Sequence, residues 1–309
     1  MHIPVLLEEM LQAIQPGPGR IYLDGTLGAG GYSEAILQAS EPDSLVLAFD
    51  LDAEAVRRAS KRLETYGDRF KAIHAGYHEA KEVLESRGII AVDAAVLDLG
   101  LSLDQLEDPE RGFSFQRESP LDMRFDTTSG PTALEYLQTL SVSKLEEMLA
   151  TYGEERYCRK LARGIILARD RGLLLTTTDL AVVVARIVGR RRGKIHPATR
   201  TFQALRIAVN RELDHLAGAL DDIPLLLKPG GRFCVVSYHS LEDRLVKLSF
   251  RQRKEDRLNW KVLTPRPVRP SEEERKRNPR SRSARMRVLE RVGGWHAGAR
   301  PRAGSETHW

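Results

Sequence analysis

The sequence predicts an α/β fold, a parallel sheet flanked by helices, with a helical subdomain inserted into it. Three observations predict it. Over the first hundred positions, apolar runs of three to six residues alternate with helical stretches of about ten, the rhythm of βαβ units. Three of those runs end in aspartate, at Asp24, Asp50 and Asp98. After Asp98 the rhythm gives way to helical periodicity, and the strand pattern returns only beyond residue 198.

The elements follow in order. Ile21-Tyr22-Leu23 is a short strand ending at Asp24, followed by a glycine-rich turn and a helix over Ser33–Ala39. Ser44–Phe49 is a second strand, ending at Asp50, and Ala53–Tyr66 has helical spacing. Phe70–His74 is a third strand with a helix over Glu79–Arg87, and Ala94–Leu97 a fourth, ending at Asp98. Right-handed crossovers gather the C-terminal ends of such strands on one edge. Ser102–Pro131 reads as loop, punctuated by Pro109, Gly112, Pro120, Gly130 and Pro131. From Ala133 to about Gly193 the apolar spacing is helical, as in Leu145/Met148/Leu149 and Leu161/Ile165/Ile166. Phe202–Leu220 reads as one long amphipathic helix, Arg232–Ser237 as a fifth strand and Leu241–Gln252 as a helix. Trp260–Leu263 and Ala284–Leu289 alternate, and are expected to pair as a hairpin at the sheet edge across a charged loop. The organisation expected is a core of residues 1–103 and 199–292, a helical insertion over 104–198 on the substrate side, and a disordered tail over 293–309.

Composition narrows the function classes. The 309 residues hold 48 Lys plus Arg against 43 Asp plus Glu, and 41% are hydrophobic, which excludes a wholly disordered chain. No run approaches the roughly 18 apolar residues of a bilayer span, and the acidic N-terminus lacks the basic start of a signal peptide. Only Cys158 and Cys234 are present, far apart, which excludes a disulfide scaffold and a Cys-rich zinc site. A cytoplasmic protein without a metal or membrane role is expected. The charge is uneven: residues 251–309 carry a net +10 and residues 1–250 a net −5. A basic end on an acidic body points to a polyanion partner, although a solvated tail has the same composition.

Asp24-Gly25-Thr26-Leu27-Gly28-Ala29-Gly30-Gly31 sits where the first strand turns into a helix. Glycines there admit a ligand close to the backbone, and the helix start offers unpaired N–H groups. Asp50 ends the next strand, 22 residues after Gly28, where a carboxylate can accept hydrogen bonds from a ribose. A dinucleotide or S-adenosylmethionine fits this architecture. The dinucleotide fingerprint wants a third glycine where Ser33 stands, and Asp24 suits a ligand carrying ammonium and sulfonium charges better than a pyrophosphate. Asp98-Leu99-Gly100-Leu101-Ser102 ends the fourth strand, beside the expected reversal of strand order. A base amino group has its lone pair delocalised into the ring. It needs an acceptor to orient its protons and a fixed line to the methyl carbon, and Asp98 is the candidate. The plainer role is a cap on the following turn.

Long motifs in one order carry a resemblance. They are His2–Glu9, Asp24–Ser33, Asp98–Leu106, Arg111–Phe115, Leu121–Arg124, Tyr152–Arg156, Ile195–Arg206, Ser237–Arg244 and Asn278–Ser283. Over about residues 2–291 the chain resembles the bacterial 16S rRNA (cytosine-N4) methyltransferase family (RsmH/MraW). The resemblance implies a SAM-dependent methyltransferase (Rossmann-like) sheet and methylation of N4 of a cytidine in the decoding region of 16S rRNA. It also implies a donor site of Gly30, Gly31, Tyr32, Asp50, Tyr77, Asp98 and Gln105. The chain departs from the family pattern at Tyr32 (usually His), Tyr77 and Tyr238 (usually Phe), Phe125 (usually Met) and Leu103 (often Ser).

Candidate substrate contacts lie elsewhere in the motifs. Phe113 and Phe115, between Arg111 and Arg124, form an aromatic and basic loop suited to stacking a splayed base, or pinned to the core. His196 and Arg200, and His239, Ser240 and Arg244, are expected on the cofactor edge. Arg206 and Asn210, one turn apart, can point together into a cleft or anchor the insertion. Arg190–Arg192, Arg280 and Arg282 are candidate phosphate contacts. The expected partner is 16S rRNA within a small ribosomal subunit or late precursor, with homodimerisation left open. The alternatives are a non-catalytic RNA-binding assembly factor with a SAM pocket, and a DNA amino-methyltransferase. The polar turn of the latter usually holds Pro-Pro and an aromatic residue, where this chain has Leu99-Gly100-Leu101.

Overall fold

The four apolar runs of the first hundred residues read as strands form a sheet that buries both of its faces, as a parallel sheet must. A computed structural model describes residues 4–189 and 196–294. After α1 (Leu7–Ile14), the chain alternates β1 (Ile21–Asp24), α2 (Gly31–Ala39), β2 (Leu45–Asp50), α3 (Ala53–Arg62), β3 (Phe70–His74), α4 (Ala80–Ser86) and β4 (Val92–Asp98). A short α5 (Leu103–Glu107) then leads through a loop to α6 (Ala133–Thr139), α7 (Val142–Thr151), α8 (Cys158–Asp170) and α9 (Thr177–Val188). The return is made by α10 (Thr199–Val209) and α11 (Glu212–Asp222) into β5 (Leu227–Ser237) and α12 (Ser240–Arg253). The chain ends its described part in β6 (Trp260–Val262), α13 (Glu272–Arg277) and β7 (Arg285–Arg291).

The sheet order is β3-β2-β1-β4-β5-β7-β6. The first five strands are parallel; β7 runs antiparallel to both β5 and β6. The expected methyltransferase-type α/β sheet and its edge hairpin are therefore present. Alternate strand residues feed two cores. Tyr22, Val46, Val96 and Cys234 pack against α1, α2 and α3 through Met10, Ile36, Leu37 and Leu63. Leu23, Phe49, Leu97 and Phe233 face the other way, onto Leu84, Leu220 and Phe250. Phe49 and Phe233 are wholly buried, and truncating either to Ala would cost about 3–5 kcal/mol. A third core joins α6–α9 with Phe113, Leu121 and Met123, and α10 adds Phe202, Ala204 and Leu205 to it.

Two expectations about elements are corrected. The stretch Phe202–Leu220 is not one helix: it breaks at Asn210 and Arg211, the latter at a left-handed φ of 49°. The Asn210 side chain takes the Met123 carbonyl and the Phe125 N–H instead of sitting within a continuous helix. The segments read as loops before Pro131 and before β7 contain α5 and α13, capped by Ser102 and Ser271 respectively. Most of the expected tail, and Arg190–Arg192, fall outside the described residues. Among the described residues no helix is long and apolar enough to cross a membrane.

Candidate active site

Strand order reverses between β1 and β4, and there the C-terminal edge of the sheet opens into a cleft of about 470 Å³. Its first wall is the glycine loop. Gly30, which precedes α2, has φ of 82°, a conformation open to glycine at little cost. A Cβ on Gly31 would stand 2.5 Å from Pro4 Cγ, so the N-terminal segment lies on the loop only because Gly31 has no side chain. Gly31, Tyr32, Pro4 and Val5 line the cleft together. The Tyr32 hydroxyl donates to the Val5 carbonyl, which gives this buried phenol its partner.

Two strand-end carboxylates face the cleft. Asp50 accepts from the Gly28 N–H at 2.8 Å and the Asp52 N–H at 2.9 Å, yet burial pushes it up to about 6. Asp98 accepts from the Tyr238 hydroxyl at 2.8 Å, and its own N–H donates to the Thr26 hydroxyl at 2.7 Å. Burial pushes its carboxyl up to about 7, with the Tyr238 bond acting in the opposite direction. Asp24 does not line the cleft, contrary to the expectation that it meets a ligand directly. It lies fully covered beneath the loop, accepting from the Ser33 hydroxyl at 2.7 Å and the Thr26 N–H at 3.1 Å. Its charge nonetheless disfavours ionisation of both Asp50 and Asp98.

Tyr77 and Gln105 line the same half of the cleft. Gln105 closes a capping box on Ser102 and donates to Asp52 at 3.3 Å. Asp52 also caps α3 and takes the Arg111 guanidinium at 2.7 Å. The other Arg111 amino group donates to the Arg124 and Phe125 carbonyls. Arg124 is held by Asp122 at 2.7 Å, and Asn210 by Met123 and Phe125. These three residues, expected to touch substrate, spend polar groups on Asp52 and on the loop of residues 111–125. They set the position of the aromatic wall instead of reaching outward.

That opposite wall is made by Phe113, Phe115, Met123, Phe125 and Phe202. Phe115 stacks on the exposed His196 with ring centroids 4.6 Å apart and meets Phe202 edge-on. Phe113 is buried and packs on Phe125, so one of the two loop phenylalanines is a pin and the other a shelf. At the back of the cleft Arg206 grips both oxygens of Glu212, at 2.7 and 2.8 Å. His239 caps α12, and Glu242 closes the cap by accepting from the Tyr238 and His239 N–H groups. Burial alone would raise Glu242; its bond to His239 and the nearby Arg206 outweigh that and hold it low. Glu212, His239 and Glu242 offer ligand atoms within 4.8 Å of one another, a grouping able to hold a cation, but Arg206 already takes both oxygens of Glu212.

Glu154 ties the insertion to this edge. It accepts from Ser240 at 2.6 Å and Arg244 at 3.1 Å, while its carbonyl takes Arg200 at 2.7 Å. Arg200 and Arg244 thus meet at a latch, outside the lining of the cleft. Arg280 is exposed and lines the rim; Arg282 is exposed beyond it. Sequence reasoning missed Asp52, Glu154, Glu212 and Glu242. Asp52 carried a signal as an acid at the capping position before the Ala53 helix, and Glu242 as the acid three residues after a capping position.

The lining fits S-adenosylmethionine. Among the described residues Asp50 and Asp98 have N–H and O–H donors around them but no ion-pairing cation, so the cleft edge is negative and suits a ligand bearing ammonium and sulfonium groups. Residues 1–292 match the MraW methylase family. A relative from Thermomicrobium roseum, named ribosomal RNA small subunit methyltransferase H, is 49% identical over 305 residues, covering 94% of each chain. Relatives of the same name are 47% identical in Syntrophobacter fumaroxidans, covering 94% of this chain and 97% of that one, and 46% identical in Desulfotalea psychrophila, covering 94% and 98%. With its motifs in order and the whole sheet and cleft included in the match, the chain belongs to the MraW methylase family, a family of SAM-dependent methyltransferases.

Proposed function

We propose that the protein methylates N4 of a cytidine in the decoding region of 16S rRNA, within a small ribosomal subunit or its late precursor in the cytoplasm. One observation carries this reading: Asp98, oriented by Tyr238, stands between the glycine loop and the aromatic wall. Residues 1–103 and 199–292 form the donor-binding part, and residues 104–198 the substrate side. S-adenosylmethionine supplies an electrophilic methyl group when bound. Asp50 accepts from ribose hydroxyls, Tyr77 lies along the adenine, and Gly30, Gly31 and Tyr32 border the methionyl end. Gln105 acts through Asp52, as a support for this wall.

A base reaches such a cleft only when taken out of its stack. Phe115, backed by His196 and Phe202, offers the stacking face. Asp98 accepts a hydrogen bond from the exocyclic amino group, which fixes N4 on the line of attack. As the N–C bond forms and the methyl–sulfur bond breaks, with its electron pair left on sulfur, the surplus N4 proton passes to Asp98 or to water. Alignment supplies most of the acceleration, and no covalent enzyme intermediate is needed. The test is incubation with methyl-labelled S-adenosylmethionine and small subunits, free 16S rRNA or DNA, followed by nucleoside mass spectrometry. N4-methylcytidine in 16S rRNA is expected; label confined to DNA, or none in rRNA, overturns the reading. Light scattering on the same preparation distinguishes monomer from homodimer.

A further inference from the structure

A second cavity, of about 510 Å³, lies between the far half of α12 and the β6 edge. Lys247, Arg251 and Lys254 line one side of it, at the i, i+4, i+7 spacing that places residues on one helix face. Arg257 closes one end, and Val262, Thr264 and Pro265 form the opposite side. The deeper Arg287 is neutralised by Asp243 at 2.7 Å. Lys247, Arg251, Lys254 and Arg257 are exposed, and none of the four makes an ion pair or side-chain hydrogen bond among the described residues. Glu255 is the one acid among the described residues of the lining. Nearby, Arg253 is matched by Asp221, Arg232 by Glu290 and Lys228 by Asp93, while Lys261 and Arg266, next to the β6 side, are likewise exposed and without an ion pair among the described residues.

We infer that this groove binds the phosphate backbone of the RNA substrate, as a docking track separate from the catalytic cleft. Four unmatched cations around a concave surface are the electrostatic footprint of a phosphodiester chain. The groove is also connected to the site. His239, which caps α12, lines the cleft, and fifteen residues of helical rise carry the chain about 20 Å from there to Lys254. A strand leaving the cleft along α12 meets these side chains in succession. The inference rests on the reading that the substrate is 16S rRNA.

The test compares wild type with the triple variant Lys247→Ala, Arg251→Ala, Lys254→Ala, binding protein-free 16S rRNA between 50 and 300 mM salt. Three lost phosphate contacts should flatten the slope of log K against log salt by about 2 units. SAM affinity and kcat at saturating small subunits should be unchanged, and KM for subunits raised. The charge-preserving pair Lys247→Arg and Lys254→Arg should keep the wild-type slope. A folded triple variant with the wild-type slope and KM overturns the inference. So does a wild-type slope on rRNA with weakened binding to subunits, which assigns the groove to a ribosomal protein instead. A wild-type enzyme that neither binds nor methylates rRNA would overturn the substrate reading itself, and the groove with it.

Discussion

Replacing Tyr238 with Phe removes one hydroxyl and little else. The ring lies against Gly100, where an added Cβ would sit 3.4 Å away, and Phe keeps that packing. What is lost is the 2.8 Å hydrogen bond to Asp98. A bond to a charged group is worth about 1.5–3 kcal/mol, or about 1–2 pK units. The Asp98 carboxyl, at about 7 with that bond in place, should rise by this amount. If the ionised carboxylate orients the amino group or takes its proton, the acid limb of the rate profile moves up with it. At pH 7 the ionised fraction, and so kcat/KM, should fall about 5- to 50-fold and recover near pH 9. A bound cation lowers Asp98 in both proteins together, so the difference between the two limbs is the quantity to measure. A folded Tyr238→Phe enzyme with wild-type SAM affinity and an unmoved acid limb would refute the role given to this pair.

Three further outcomes are expected. Asp50→Asn should weaken SAM binding by about 1.5–3 kcal/mol by calorimetry, and an unchanged affinity would remove this carboxylate from the ribose. Replacing Arg280 and Arg282 with Ala should flatten the salt dependence of rRNA binding by about 1–2 units and leave SAM affinity alone; an unmoved slope would take the rRNA away from this rim. Asp98→Asn should reduce turnover and stabilise the ligand-free protein by an amount that grows with pH. The native carboxyl, raised to about 7, holds a proton that the unfolded chain has released. Wild type therefore loses stability as pH climbs from about 4 towards 7, on the order of 2–3 kcal/mol of it above pH 5. Thermal melts at pH 5 and pH 8 showing no such divergence would contradict the burial of this charge.

What could be read from the sequence was local. Strands showed because Leu45–Asp50 and its neighbours are apolar runs that end where a loop must start, and the glycine loop showed because Gly30 and Gly31 lie just past a strand. Capping chemistry hid in loops: α5 has only five residues, too few for a periodic signal. The break at Asn210 was invisible because its cause lies in Met123 and Phe125, more than eighty residues away. The same holds for Arg111. Its composition and setting suggested RNA, but a carboxylate 59 residues distant, at Asp52, claims it. Asp98 and Tyr238 are 140 residues apart, and nothing short of the folded sheet brings them together. Residue type predicted which side chains carry chemistry; the partners decided which of them face a ligand.

The partners also explain how the strand ends carry carboxylates that are costly to ionise. β1, β2 and β4 are adjacent and parallel, so their terminal Asp24, Asp50 and Asp98 are gathered at one edge by topology alone. Asp24 is fully buried, Asp50 and Asp98 are half-buried, and the Asp24 charge makes both of the others harder to ionise. Hydrogen bonds from Gly28, Asp52 and Tyr238 recover part of that cost without supplying a positive charge. A cationic ligand would offset the remainder, and its binding would stabilise the fold in proportion to its affinity for this state. A donor carrying both an ammonium and a sulfonium group satisfies the site; the demethylated product, having lost the sulfonium charge, satisfies it less. The electrostatic strain stored at the strand ends thus does two things at once. On the proposed reading it favours the charged donor over its neutral-sulfur product, and it leaves Asp98 able to take the proton that leaves the methylated amine.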